Sequence, residues 1–301
     1  MNAPRSTVAI VLNYCREDLT AECIISLERS TARPRVLIVD NASPDGSGER
    51  LRQRFPDHDF LQTGENLGYA GGNARGITWA LEQGAERVFV VNDDAELSAH
   101  CLAFLHDALD RDAQAAAASP TMLHATPAGR VWWAGGRFSP MRALAVHEHA
   151  GEQIESAPWR EDPPRAVTSL CGCAMLIRGD VIRESGGFRE DFWAYAEDVE
   201  LSLRYVRAGW RLLHVPQARL VHKVPDPEPP PAGWKIAYRD RNRRRIAALH
   251  LRGSERLAFW AFFLPSRLLL LAKYVLTFDF GRAAGIWRGL TAGPGTRIGG
   301  P

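Results

Sequence analysis

The chain is poor in sulfur and lacks the signals of export. Its 301 residues include five cysteines and four methionines. No two cysteines are spaced C-x-x-C, so zinc-ribbon and thioredoxin-type chemistry are set aside, and an odd number fits a reducing compartment better than a disulfide framework. Residues 1–7 have no apolar core, and the apolar run at 8–12 is too short for a signal peptide. Neither G-x-G-x-x-G nor a P-loop lysine motif follows that first run, which excludes the usual nucleotide-cofactor oxidoreductase. With 46% hydrophobic residues, disorder is excluded as well.

Charge is unevenly distributed. Residues 1–232 carry 24 Lys/Arg against 32 Asp/Glu, whereas 233–301 carry 13 against 3. A basic tail on an acidic body points to an anionic partner for the tail, and nucleic acid is not expected.

Short continuous apolar runs alternate with segments of helical spacing. Val8 to Leu12 reads as a strand and Leu19 to Arg29 as a helix. Val36 to Val39 is a second strand, followed by a helix from about Gly48, and Ala70 to Gln83 leads into the strand Val88 to Val91. Such alternation predicts an α/β fold with a mostly parallel central sheet, helices on both faces and ligands at the carboxyl ends of the strands. Residues 111–170 show no regular pattern. Structure resumes with an extended stretch at 168–177, where Cys171 and Cys173 share a buried face. A helix over 197–208 and two short strands, 211–215 and 218–222, follow. The proline-rich stretch 225–232 reads as a linker between a body, 1–224, and a helical extension, 233–301.

In that extension Arg239, Arg241, Arg243, Arg244 and Arg245 form a basic cluster. At about 100° per residue, Arg252, Arg256, Ser266, Arg267, Lys273 and Thr277 fall within an arc of about 120°, opposite a wide apolar face. The pattern predicts an in-plane interfacial helix. A central charge costs a membrane span roughly 2.5–3.5 kcal/mol on insertion scales, and Pro265 also opposes one. The alternative is packing on the body or across a homodimer.

The chemistry-bearing residues sit at predicted strand ends. Asn92-Asp93-Asp94 follows a buried strand, and two adjacent carboxylates call for a divalent cation. A second acidic cluster, Glu197, Asp198 and Glu200, opens a helix, where the dipole alone would also favour it. Asp40, with Asn41 and Ser43, offers carboxylate and backbone donors to a nucleoside, or forms an Asx turn. Gly68, Gly71, Gly72 and Gly76 allow close backbone approach at a helix start. His222 is a candidate ligand, although a lone histidine is more often structural.

Five segments in order carry a resemblance over residues 7–224: Val11-Leu12-Asn13-Tyr14; Val39-Asp40-Asn41-Ala42-Ser43; Asn66-Leu67-Gly68-Tyr69-Ala70-Gly71-Gly72-Asn73; Asn92-Asp93-Asp94; and Gly186-Gly187-Phe188 through Glu197-Asp198-Val199-Glu200 to Val221-His222. The chain resembles family 2 inverting glycosyltransferases of the GT-A (nucleotide-diphospho-sugar transferase) fold, in their rhamnosyltransferase-like branch. The resemblance implies Asp198 as the general base, and Asp94 and His222 as ligands of Mg2+ or Mn2+. It places the donor among Asn13, Asp40, Asn41, Ser43, Asn66, Gly68, Asn73 and Asp93, and the acceptor by Glu197, Glu200, Trp193 and Tyr195. Asn92 replaces the first aspartate of the family's D-x-D motif. The implied reaction moves L-rhamnose from its dTDP conjugate, or a hexose or galactofuranose from UDP, onto a lipid-linked cell-surface glycan. The enzyme would sit on the cytoplasmic face of the plasma membrane against anionic lipid. A non-catalytic assembly module is the reading of another class, and the presence of both Asp94 and Asp198 opposes it.

Overall fold

A computed structural model describes residues 6–226, 228–293 and 295–299. Residues 1–5 of the expected leaderless start and Pro227 of the expected linker lie outside the described residues. The chain runs β1 (Thr7–Asn13), α1 (Glu17–Glu28), β2 (Arg35–Asp40), α2 (Ser47–Arg54), β3 (Asp59–Gln62), α3 (Gly68–Glu82), β4 (Arg87–Asn92), β5 (Ala95–Leu97) and α4 (Cys101–Arg111). The stretch with no sequence pattern holds β6 (Ala115–Thr126), β7 (Val131–Trp133), β8 (Gly136–Ser139), β9 (Leu144–His147) and β10 (Arg165–Val167). Then come β11 (Ala174–Arg178), α5 (Gly179–Ser185), α6 (Glu197–Arg207), β12 (Arg211–Pro225), α7 (Gly233–His250), α8 (Gly253–Leu276) and α9 (Phe280–Thr291).

One mixed sheet organises the body, in the order β10-β12-β6-β11-β4-β1-β2-β3, with β5 on β12 and β7 on β6. Pairings β4–β1, β1–β2 and β2–β3 are parallel, as expected of strands buried on both faces. β11 inserts antiparallel between β4 and β6. Val8 to Val11, Val36 to Val39 and Val88 to Val91 are all buried in the core. The two short strands expected at 211–222 are one strand, β12. Its register on β6 slips between Val215 and Arg219, around Pro216, which has no N–H to offer the ladder. Cys171 and Cys173 are buried but lie in the turn before β11, not on a strand.

A three-residue pairing positions the site. β5, just after Asp94, runs antiparallel to β12, with Ala95 opposite His222, and the Lys223 amide donates to the Asp94 carbonyl at 2.8 Å. Residues 94 and 222 thereby become neighbours.

The extension packs on the body. In α7, Arg241, Arg243 and Arg245 of the expected basic cluster are buried. Arg241 donates to the carbonyls of Asp191 (3.1 Å) and Phe192 (2.7 Å), and Arg245 to that of Asp191 (3.0 Å). Asn242 Nδ2 donates to the carbonyls of Phe192 (2.9 Å), Ala194 (2.9 Å) and Tyr195 (2.6 Å). These three arginines are therefore spent inside the protein and are not available to a membrane. Arg267, on the predicted polar arc of α8, meets the buried Asp240 at 3.2 Å, as does Arg243. Phe259 and Phe263 bury the same side of α8. Its other side exposes Leu257, Leu264, Leu268, Leu269 and Leu276. By length and composition α8 could cross a membrane. Replacing Asp240 with Ala leaves two guanidinium groups without their buried counter-charge and is expected to cost about 3–5 kcal/mol of unfolding free energy, read by urea denaturation.

Candidate active site

The carboxyl ends of β1, β2 and β4 open into a cleft with a cavity of about 660 Å3, lined on one side by Leu12, Arg16, Asn41, Asn66, Gly68 and Asp93. Its other side is Trp132, Trp193, Tyr195, Glu228, Trp234 and Lys235, and Asp198, Glu197, Gly172 and His222 also line it.

On the first side, polar side chains build the strand ends before they can touch a ligand. Asp40 is buried and accepts from Asn13 Nδ2 (2.8 Å), Ser43 Oγ (2.6 Å), the Ser43 amide (3.1 Å) and Gln62 Nε2 (2.9 Å). Asp40, Asn13, Ser43 and Asn73 do not line the cavity; they fix its wall. Asn41 and Asn66 do line it. Asn41 Nδ2 donates to Asn66 Oδ1 and to the Gly68 carbonyl, both at 3.1 Å, and its Oδ1 accepts from the Leu67 amide. Gly68 has φ of 70°, and a Cβ there would strike the Trp193 backbone and indole, so close approach requires glycine.

Of the acidic pair, Asp93 lines the cavity and Asp94 does not. Asp93 and Asp94 are both buried, and Arg16 bridges them, Nη1 to Asp93 Oδ1 and Nη2 to Asp94 Oδ2, each at 3.0 Å. Burial pushes the Asp93 carboxyl up to about 7, with Arg16 opposing and Asp94 reinforcing the rise. At Asp94 burial acts the same way, but His222 and Arg16 outweigh it and bring the group down to about 2. The environment thus separates two adjacent carboxylates, with Asp94 as the ionised member. Asp94 Oδ1 lies 3.1 Å from His222 Nε2, yet it is buried without a hydrogen-bond partner. Among the described residues no group of three His, Cys, Asp or Glu forms a metal cage. One carboxylate and one imidazole with an unsatisfied oxygen suit a hard cation whose remaining ligands are phosphate oxygens and water.

Across the cavity, Asp198 opens α6. Its Oδ2 accepts from the Gly172 amide (2.9 Å) and its Oδ1 from the Val199 amide (2.8 Å). Burial raises its pKa, and these amides oppose the rise. Neighbouring Glu197 has no such donors, and its Oε2 is unpartnered; burial and the Asp198 charge push it up to about 8. The two amides favour the ionised form at Asp198 over that at Glu197. Glu200, expected on the acceptor side, is turned away. It is buried against Arg204 Nη2 (2.8 Å) and His250 Nε2 (3.4 Å), because two residues beyond Asp198 is about 200° around the helix, on the face that packs on α7.

Trp193, Tyr195 and Ala196 all have positive φ, a conformation that non-glycine residues rarely adopt, and the carbonyl bonds from α7 hold them there. Trp193 stacks on Tyr238 at 4.5 Å. The sequence reading missed Arg16, Trp132, Glu228, Trp234 and Lys235. Trp132 packs on His222 with centroids 4.4 Å apart and donates its Nε1 to Glu228 at 2.8 Å. Arg16 had a signal, since it follows Asn13-Tyr14 at a strand end; Trp132 and Glu228 lay in segments without periodicity.

A cleft of this kind, at the strand ends of a mixed sheet with paired aspartates after β4 and an amide-held carboxylate at the start of α6, defines a nucleotide-diphospho-sugar transferase of the GT-A fold. Residues 8–183 match the family described as "Glycosyl transferase family 2", and the chain belongs to it. It is 32% identical over 216 residues to an N-acetylglucosaminyl-diphospho-decaprenol L-rhamnosyltransferase of Mycobacterium tuberculosis, covering 66% of this chain and 70% of that one. Among solved structures, GalNAc-T7 with UDP, GalNAc and Mn2+ superposes with a TM-score of 0.65 at 14% identity, over 83% of this chain and 48% of that one. The mannosyltransferase PcManGT of Pyrobaculum calidifontis, with GDP-Man and Mn2+, gives 0.57 at 17% identity, over 96% and 87%.

A carboxyl held protonated in the fold and ionised once unfolded loses its stabilising effect as pH rises. For Glu197 that effect is complete below its ordinary 4.5 and declines up to about 8. Wild-type melting temperature should therefore fall between pH 5 and about 8 relative to Glu197→Gln, which stays neutral throughout; parallel curves would contradict the assignment.

Proposed function

We propose that this glycosyltransferase transfers a sugar, L-rhamnose from dTDP-L-rhamnose, with inversion onto a lipid-linked glycan at the cytoplasmic face of the plasma membrane. The observation that carries the reading is Asp198: a half-buried carboxylate held by two amides, lining a cavity that is also lined by Asp93 and by His222, the neighbour of Asp94. The rhamnosyl donor and diphospholipid acceptor rest on the mycobacterial relative's name.

Asn41, Asn66 and the backbone at Gly68 face the nucleoside side of the donor, and Asp93 its ribose or sugar. Asp94 and His222 are the residues that would hold a divalent cation. When bound, such a cation supplies positive charge to the departing diphosphate. Arg16 already lies between the aspartates, where its guanidinium can pass from carboxylate to diphosphate oxygen. Trp193 and Tyr195 offer faces to the acceptor sugar. Asp198 accepts the acceptor hydroxyl's proton as that oxygen bonds to the anomeric carbon, while the bond from that carbon to the diphosphate oxygen breaks and its electron pair leaves with the nucleoside diphosphate.

Two variants test the assignment. Asp94→Ala should abolish the part of dTDP binding that EDTA removes from the wild type, as read by calorimetry. Asp198→Asn should bind dTDP normally and lose roughly 10²–10⁴ in kcat. EDTA-insensitive binding in the wild type, or near-normal turnover by Asp198→Asn, would refute the corresponding role.

The membrane reading rests on α8, whose inner side is fastened by Phe259, Phe263 and Arg267 while its outer side is apolar. A helix tied along its length to the body lies in the headgroup plane, and this one is flanked by Arg252, Arg256 and Lys273. Each basic residue near an anionic surface adds on the order of 1 kcal/mol, screened by salt. Liposome flotation should weaken as anionic lipid is withdrawn or salt is raised; flotation indifferent to both would point to a span, and none at all to a protein interface.

A further inference from the structure

Two cations at the start of α7 are left unused by the reaction scheme; Lys235 lines the cavity and Arg239 does not. Lys235, in the first turn of α7, lines the cavity and is exposed. Its Nζ lies 5.7 Å from the Trp234 ring centroid, and among the described residues it has no carboxylate partner. Arg239 follows one helical turn later, on the same side of α7. Its charge acts on the Tyr195 phenol of the cavity wall, its Nε is buried without a partner, and it too lacks a carboxylate among the described residues. Elsewhere on α7 the guanidinium groups are engaged: Arg241 and Arg245 by loop carbonyls, Arg243 by Asp240, and Arg244 by the carbonyls of Gly289 and Ala292. In the cavity itself, Arg16 is occupied by Asp93 and Asp94. The one acid on the acceptor lip, Glu228, accepts from Trp132.

The surroundings of this pair are apolar on the side away from Asp198. α9 approaches α7 through Gly281, Gly285 and Gly289, spaced four residues apart. A Cβ on Gly233 would strike the Gly281 carbonyl, and one on Gly285 would strike the Gly233 backbone. Arg282 Nε also donates to the Pro231 carbonyl at 3.1 Å. The start of α7 is thereby locked to the start of α9, where Phe278 and Phe280 are 80% and 61% exposed. Trp234 and Lys235 line the cavity together with Asp198, and the start of α7 that carries them abuts the start of α9.

We infer that Lys235 and Arg239 bind the diphosphate of a prenyl-diphosphate-linked acceptor, whose hydrocarbon chain leaves over Phe278 and Phe280 while its sugar reaches Asp198. Two cations one turn apart match a group with two adjacent anionic phosphates, and a flanking apolar edge matches the chain attached to it. This rests on the proposed lipid-linked acceptor, but it concerns a separate set of contacts from the donor's.

Binding of geranylgeranyl diphosphate and of geranylgeraniol to the full-length protein in detergent micelles with EDTA tests the site without requiring turnover. The wild type should prefer the diphosphate. Lys235→Glu should weaken its binding by about tenfold or more, Lys235→Arg should retain it, and geranylgeraniol binding should be unchanged in both variants. Equal binding of the two probes by the wild type, or unchanged diphosphate affinity in Lys235→Glu, would overturn the inference. So would a loss confined to Arg16→Ala, which would put the diphosphate in the donor half. Diphosphate binding that depends on Lys235, in a protein that transfers no sugar to any prenyl-diphosphate acceptor, would support the site and refute the proposed acceptor instead.

Discussion

Four carboxyl groups lie at or beside a single cavity, Asp93, Asp94 and Glu197 buried and Asp198 half-buried, and the cost of keeping them there governs the rest of the structure. Buried like charges cannot all remain ionised. The protein eases the conflict by giving one member of each pair additional partners, His222 for Asp94 beside the Arg16 it shares with Asp93, and two backbone amides for Asp198, while Asp93 and Glu197 shift toward the protonated form. One side of the cleft is thereby suited to a cation and a diphosphate, and the other has a carboxylate able to accept a proton.

Those partners come from distant parts of the chain, and the backbone that delivers them is held in uncommon conformations. The turn at 171–173 carries the Gly172 amide to Asp198, and Tyr69 fixes that turn by donating its hydroxyl to the Gly172 carbonyl at 2.6 Å. The positive-φ residues at 193, 195 and 196 bring two aromatic rings to the cavity that Asp198 lines. They persist because Asn242 alone satisfies three carbonyls of that loop. α7 thus acts as the back wall of the active site. The helix with the most exposed large apolar side chains, α8, is joined to it through Arg267 and Asp240. The loop at 192–195 and α8 therefore share one mechanical support, α7.

What was legible in the sequence follows from local physics. Continuous apolar runs such as 8–12, 36–39 and 88–91 can only be strands covered on both faces, and polar residues directly after them must lie at strand ends. Asp93, Asp94, Asp198 and His222 could be singled out on that basis and on the family resemblance, and the structure brings them to one cleft. Residues 111–170 were opaque because β6 is rich in alanine, while β7 to β10 are three- or four-residue strands, too short to show a period. The arginine cluster at 239–245 looked like a surface patch because composition does not reveal which carbonyls a guanidinium will meet. Glu200 looked like a site residue because proximity in sequence says nothing about which side of a helix faces the cleft.

The sequence by itself determined the α/β alternation, the strand-end acids and the contrast between acidic body and basic tail, since each depends on neighbours a few residues apart. Only the tertiary structure decided that β5 and β12 pair to set His222 beside Asp94, that Arg16 bridges the two aspartates, that Glu200 faces away, and that α7 closes the cavity with Trp234 and Lys235. Each of these depends on contacts between residues separated by tens to hundreds of positions. Such contacts are set by sheet register and by the burial of charged groups, and neither can be read from local spacing.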